Sequence, residues 1–181
     1  MRPITFRFDP EKAINTLAFF SRHGIPGLDQ MKIAKLVFLA DRVHLLRYGR
    51  TITGDTYVCM EHGPVPSATR DLVNARLAED PDAEPMQQYF DVRQVRQYPE
   101  LVAKRDPDLE VFSDSDIEVL TEVAEQYGPK TAWELRELTH TYPEIESALA
   151  ARIEANRKSV PIPFESFFGA ESAPMAELVR E

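Results

Sequence analysis

The chain has 181 residues, 43% hydrophobic and 28% charged, with thirty acidic against twenty-one basic side chains and a formal net charge of −9. That length makes one domain with a sizeable core the simplest reading, and the composition excludes a disordered chain. The longest apolar run, Leu36 to Ala40, is too short to span a bilayer, so no membrane partner is expected, and the acidic balance makes nucleic acid a poor partner and a basic protein surface a better one.

At the N-terminus, residues 1–12 show neither the apolar core nor the small-residue cleavage site of a signal peptide. A lone cysteine, Cys59, excludes an intramolecular disulfide, so a reducing cytoplasm is the expected compartment. Ile4, Phe6 and Phe8 alternate with polar residues, which predicts a short strand. Asp9-Pro10-Glu11 reads as an N-cap, first helical position and dipole-favoured acid, opening a helix that stops at Gly24. A second helix runs from an N-cap at Asp29 to Tyr48, with Gly49 as terminator. Its middle, Ile33 to Ala40, is apolar nearly all round and therefore belongs at the centre of the fold.

Thr51–Thr53 and Thr56–Met60 flank Gly54-Asp55 and predict a hairpin, with Gly63 and the prolines ending its second strand. A helix then starts near Pro66 or Ser67 and reaches about Glu79. Residues 80–85 form an acidic loop, and 86–98 fit no single period. Leu101–Lys104 and Leu109–Phe112 flank Arg105-Asp106-Pro107-Asp108 as a second predicted hairpin. Ser113-Asp114-Ser115-Asp116 opens a helix ended by Gly128-Pro129, Thr131-x-x-Glu134 is a full capping box, and Pro143 starts a helix to about Asn156. The expected fold is α+β, predominantly α-helical: a compact multi-helix domain over residues 1–157 with a small antiparallel sheet, followed by an extended tail, 158–181. That tail carries Phe164, Phe167 and Phe168, which either clasp the domain's own groove, the favoured reading, or contact a partner.

Asp41 and His44 are three apart and share a helix face, and His62, at the end of the next strand, can fold back towards them. A carboxylate beside imidazoles suits acid–base chemistry or part of a metal site. No HExxH or paired Cys/His spacing accompanies them, and the GxSxG, GxxxxGK[ST] and GxGxxG motifs are absent. The alternative, which is favoured, is that these groups satisfy buried polar atoms beside a core helix. Cys59 fits a buried structural thiol, and His23 and His140 fit helix C-termini. Tyr127, Trp133 and Tyr142 are expected in the core or on its rim.

Taken in order, Lys35-Leu36, Ala40-Asp41, His44, Tyr48-Gly49-Arg50, Ile52-Thr53-Gly54-Asp55, Tyr57 and His62-Gly63-Pro64-Val65-Pro66-Ser67 resemble the motif of the Panacea, or SocA-like, antitoxin domain. Ser113-Asp114-x-Asp116 with Leu120, then Trp133-Glu134-Leu135 and Leu138-Thr139-His140, match it too, so the resemblance runs from about Pro10 to Ala151. It implies a compact, mostly helical antitoxin, part of a family long known from phage-associated proteins, that neutralises a cognate toxin by direct binding. It implies neither catalysis nor a cofactor. In the SocA-like branch it further implies a proteolytic adaptor that delivers the toxin to ClpXP. An enzyme using Asp41, His44 and His62, metal-dependent or acid–base, is the competing expectation.

Overall fold

The computed structural model describes residues 3–95, 97–169 and 172–180. In chain order it runs α1 (Pro10–Arg22), α2 (Gln30–Tyr48), β1 (Tyr57–Met60), β2 (Gly63–Pro66), α3 (Ser67–Leu77), α4 (Glu84–Tyr89), β3 (Phe90–Val95), β4 (Tyr98–Ala103), α5 (Asp114–Tyr127), α6 (Ala132–His140), α7 (Pro143–Glu154), β5 (Val160–Ile162) and α8 (Ala173–Arg180). The architecture is α+β and predominantly helical, with one antiparallel sheet in the order β2-β1-β5 and a separate antiparallel pair, β3-β4.

The helix starts follow the caps written in the sequence. Asp9 accepts from the Lys12 N–H at 3.0 Å and Asp29 from the Lys32 N–H at 2.8 Å. Complete capping boxes open α5 at Ser113 and α6 at Thr131. Helix α2 ends at Gly49, whose φ of +75° is the left-handed conformation of a C-terminal glycine. Because α2 is apolar on nearly every side it must be covered on nearly every side, and α1, α3, α5, α6 and β2 pack around it. Residues 32–41 are all buried. No helix of the described residues is long and apolar enough to cross a membrane.

Three strand predictions are corrected. Ile4 to Phe8 do not pair as a strand: the Ile4 N–H bonds the Glu165 carboxylate, the Asp9 N–H bonds the Thr53 carbonyl, and Ile4 and Phe6 pack onto the core as an extended segment. The hairpin expected around Gly54-Asp55 does not form. Instead β1 pairs forward with residues 63–66 around a Glu61-His62 turn, so the Gly-Pro-Val-Pro run read as a strand breaker is itself a strand. Proline lacks an N–H and is tolerated there because β2 is an edge strand. The predicted hairpin at Arg105–Asp108 also fails, since Leu101 to Ala103 pair backwards with Val92 to Phe90, and Leu109–Val111 form a 3-10 turn. The missing partner lay in the segment that showed no clear period.

Residues assigned to the extended tail contribute β5, which adds the third strand beside β1, and α8. Phe164 and Phe167 are buried, with Phe164 edge-on to Phe6 at 5.0 Å and Phe167 5.7 Å from the Phe38 ring; Phe168 is half-buried. Tyr57 meets both phenylalanines edge-on, which is the clasping arrangement.

Gly54 carries a sharp constraint. Its φ is +70°, and a Cβ built there would lie 2.0 Å from the Arg7 carbonyl oxygen. Gly54→Ala is therefore expected to cost at least ~2 kcal/mol through backbone strain and displacement of residues 7–8, read as a lowered urea midpoint.

Candidate functional site

Between α2 and β1 the chain crosses the interior without regular structure, and residues 51–55 are all buried. Buried backbone must still be hydrogen-bonded, and here side chains do it. The Ile52 and Thr53 N–H groups donate to Asp41 Oδ1 at 2.8 and 3.0 Å. Gly54 N–H donates to Thr51 Oγ1, Asp55 N–H to Thr53 Oγ1, and Thr56 N–H to Asp55 Oδ1. The Arg50 carbonyl accepts from His44 Nδ1 at 2.7 Å, and the Thr53 carbonyl from the Asp9 N–H.

Asp41 also accepts from Thr53 Oγ1 at 2.5 Å and Tyr57 Oη at 2.7 Å. Burial pushes its carboxyl above the usual carboxylate range, against the pull of those hydrogen bonds. Asp55 takes the place of the side-chain cap that α3 lacks: its Oδ1 accepts from the Ala68 N–H at 2.9 Å and its Oδ2 from the Thr69 N–H at 2.7 Å. His44 Nε2 lies 3.0 Å from Ser115 Oγ and 3.1 Å from Asp116 Oδ1. The Asp116 carboxylate in turn binds Lys12 Nζ at 2.7 Å, Arg50 Nη2 at 2.8 Å and its own Ser113 N–H at 3.0 Å. Burial alone pushes Asp116 up; the hydrogen bonds from His44, Lys12 and Ser113, with the Arg50 charge, outweigh it and hold the carboxyl well below the usual range. One carboxylate thus ties α1, α2 and the Arg50 loop to the start of α5.

The structure does not bring the proposed Asp41, His44 and His62 set together. Asp41 faces the Thr53–Tyr57 side and His44 the Asp116 side, while His62 sits in the β1–β2 turn, bonded to Arg136 Nε and edge-on to Trp133 at 5.4 Å. Among the described residues no three His, Cys, Asp or Glu side chains are grouped so as to hold a metal ion. The remaining motif residues meet other parts of the same chain. Lys35 Nζ donates to the Pro64 carbonyl at 2.9 Å, Tyr48 Oη donates to Glu118 at 2.9 Å, and the Ser67 N–H donates to the Thr56 carbonyl at 2.9 Å. Gly49 leaves room for Met175 and Val179 of α8, and Gly63, at φ +92°, for the His140 ring. Pro66 closes β2 opposite Tyr57. Cys59 is buried and free.

The model of the family described as "Antitoxin SocA-like, Panacea domain" matches residues 33–144, more than half of the chain. The chain belongs to that family. No curated protein and no solved structure matches it. The Panacea match begins on the buried face of α2 and ends on Glu144, which is paired with Arg42 at 2.5 Å, so it spans the network just described apart from Asp9 and Lys12.

Sequence reasoning read Asp116 only as part of a cap. The signal of its wider role was present, because Asp116 shares an inward face with Val119, Leu120 and Val123, where a polar residue must find internal partners. Trp133, expected in the core or on its rim, is 55% exposed. It stands with Tyr98, 56% exposed, on a groove lined also by His62, Lys130 and Met31.

Asp41→Ala leaves the Ile52, Thr53 and Tyr57 donors unpaired in the interior and is expected to cost ~3 kcal/mol or more in a urea titration, whereas Tyr57→Phe costs ~1 kcal/mol. Lys35 supplies a pH test. Burial pushes its amine down to about 7 from 10.5, with Cys59 nearby acting upwards and Arg136 downwards. Between those values the unfolded chain holds a proton that the folded chain lacks, so stability rises with pH across that window; below about 7 both states are protonated and this contribution is gone. The urea midpoint of the chain that keeps Lys35 is expected to climb from about pH 7 to about pH 9 relative to that of Lys35→Met. Cys59, whose thiol burial pushes up, and Lys35 act on each other, so both proteins carry Cys59→Ala and the difference between them then isolates the lysine.

Proposed function

We propose that this Panacea domain is a non-enzymatic, cytoplasmic antitoxin that neutralises a cognate toxin by direct protein–protein binding. The observation that carries this reading is the family match over residues 33–144 in a chain whose motif side chains are engaged in holding its own backbone. Groups committed to internal hydrogen bonds are scaffold, and the activity then belongs to the surface. The separation of Asp41, His44 and His62 supports the same reading over the enzyme alternative. Needing no cofactor, the protein acts by occupying its partner. The SocA-like resemblance extends the proposal to a second step, in which the bound toxin is handed to ClpXP.

The test is expression of the adjacent reading frame with and without this chain. Its product is expected to arrest growth alone, to be harmless when co-expressed, and to co-elute with the chain in a defined ratio. The adaptor step predicts that the chain shortens the toxin's half-life in cells with ClpXP and leaves it unchanged in cells without. A folded variant that still binds the toxin but no longer protects would show that binding is not the mechanism.

A further inference from the structure

Two cavities meet on one face of the molecule. The first, of about 290 Å³, lies between α2, the β1–β2 hairpin and α3, with apolar walls from Ile33, Met60, Val65 and Val73. The second, of about 560 Å³, lies between the loop before α2, the start of β4 and the start of α6, and is flanked by Tyr98 and Trp133. Gln30, Met31 and His62 line both, so the two cavities adjoin and together make up one groove. The other large apolar side chains that stand exposed, Tyr48, Leu109, Ile153 and Leu178, line neither cavity.

The charge of this groove runs against that of the molecule. Arg70 and Lys130 line it, and among the described residues neither is in an ion pair; Lys35 lines it too, but it is buried and burial pushes its amine down to about 7. Arg70 donates to the Met60 sulfur, at 3.7 Å, and Lys35 to a backbone carbonyl, at 2.9 Å. Arg136 lies over the Trp133 ring at 5.6 Å and is paired with Glu137 beside it, so the two add no net charge. Lys32, which lines the second cavity, is turned inward onto the Pro26 and Gly128 carbonyls. Against these stand two carboxylates, Asp29 and Glu61, of which Asp29 is already bonded to the Lys32 N–H. A chain of net charge −9 thus presents a cationic, aromatic-flanked groove with an apolar floor. Exposed Trp, Tyr and Arg around a desolvated pocket are the side chains that dominate protein interfaces.

We infer that this groove is the toxin-binding surface and that it takes an acidic, apolar segment of the toxin, whose apolar side chains fill the cavity between α2 and α3 while its carboxylates meet Arg70 and Lys130. The inference rests on the antitoxin reading above. The acidic remainder of the surface repels such a segment elsewhere and so orients it on approach.

The product of the adjacent reading frame, purified alone, is the probe. It is titrated calorimetrically into the wild-type chain, into Trp133→Ala, into the double variant Arg70→Glu/Lys130→Glu, and into Leu109→Ala as a control outside the groove. All the substituted side chains are at least partly exposed, and a thermal melt of each protein confirms folding. The expected result is that Trp133→Ala and the charge reversal each weaken binding by at least about tenfold, the latter most at low salt, while Leu109→Ala changes it by less than about twofold. If the wild type binds the probe and both groove variants bind as well as it does, the groove is the wrong surface although the antitoxin reading stands. If the wild type does not bind, the antitoxin reading falls and takes the inference with it. Tighter binding by the charge reversal, or a loss confined to binding of a double-stranded DNA fragment, would also overturn it.

Discussion

Five consecutive backbone N–H groups, from Ile52 to Thr56, the first four on buried residues, have no strand to pair with, and the whole arrangement around α2 depends on how they are satisfied. Each is met by a side-chain oxygen: Asp41 takes two, and Thr51, Thr53 and Asp55 take one apiece. A loop in the interior is ordinarily costly because its polar groups have nowhere to go. Here Asp41 reaches across from the central helix, and Asp55 passes the chain on to the first N–H groups of α3. The glycine at 54 is part of the same solution, since only the lack of a Cβ lets residues 7 and 8 lie directly against the loop. Remove the acceptors and the register of β1 against α2 has nothing to define it.

Asp116 does for the next turn of α2, at His44, what Asp41 does here. It stands where α1, α5 and the Arg50 loop converge, and binds a lysine, an arginine, a histidine and its own N-cap. A buried charge of this kind is stable only when fully partnered, and its partners come from helices far apart in the sequence. The two aspartates clamp α2 against its surroundings, which leaves the polar side chains of the family motif with internal work. What recognises the family is therefore its scaffold. The groove flanked by Tyr98 and Trp133 combines motif residues such as His62 and Trp133 with Arg70 and Lys130, which lie outside the motif.

The helices were legible because their determinants are local. Asp9-Pro10, Asp29, Ser113-x-x-Asp116, Thr131-x-x-Glu134 and Pro143 each satisfy or pre-empt donors within one turn, and each begins a helix where expected. The strands were not legible, because pairing is a choice among distant partners. Gly54-Asp55 has the composition of a hairpin turn, yet the hairpin closes at Glu61-His62, where β1 can run back along a proline-bearing edge. Leu101–Ala103 found its partner at Phe90–Val92, on the side where the sequence showed no period.

The helical scaffold, the central place of α2 and the family follow from amino-acid order alone, because capping, periodicity and an ordered motif are all read within a few residues of one another. The same order places Asp41 and His44 on one helix face. That they meet different partners, that His62 belongs with Trp133 and Arg136, and that Phe164 and Phe167 close over Tyr57 from the far end of the chain comes from the folded packing. It alone gathered Lys35, Arg70 and Lys130 into one groove of an otherwise acidic molecule. Each of those outcomes depends on distances between residues far apart along the chain, and such distances are set by how α2 is covered, which no local pattern encodes.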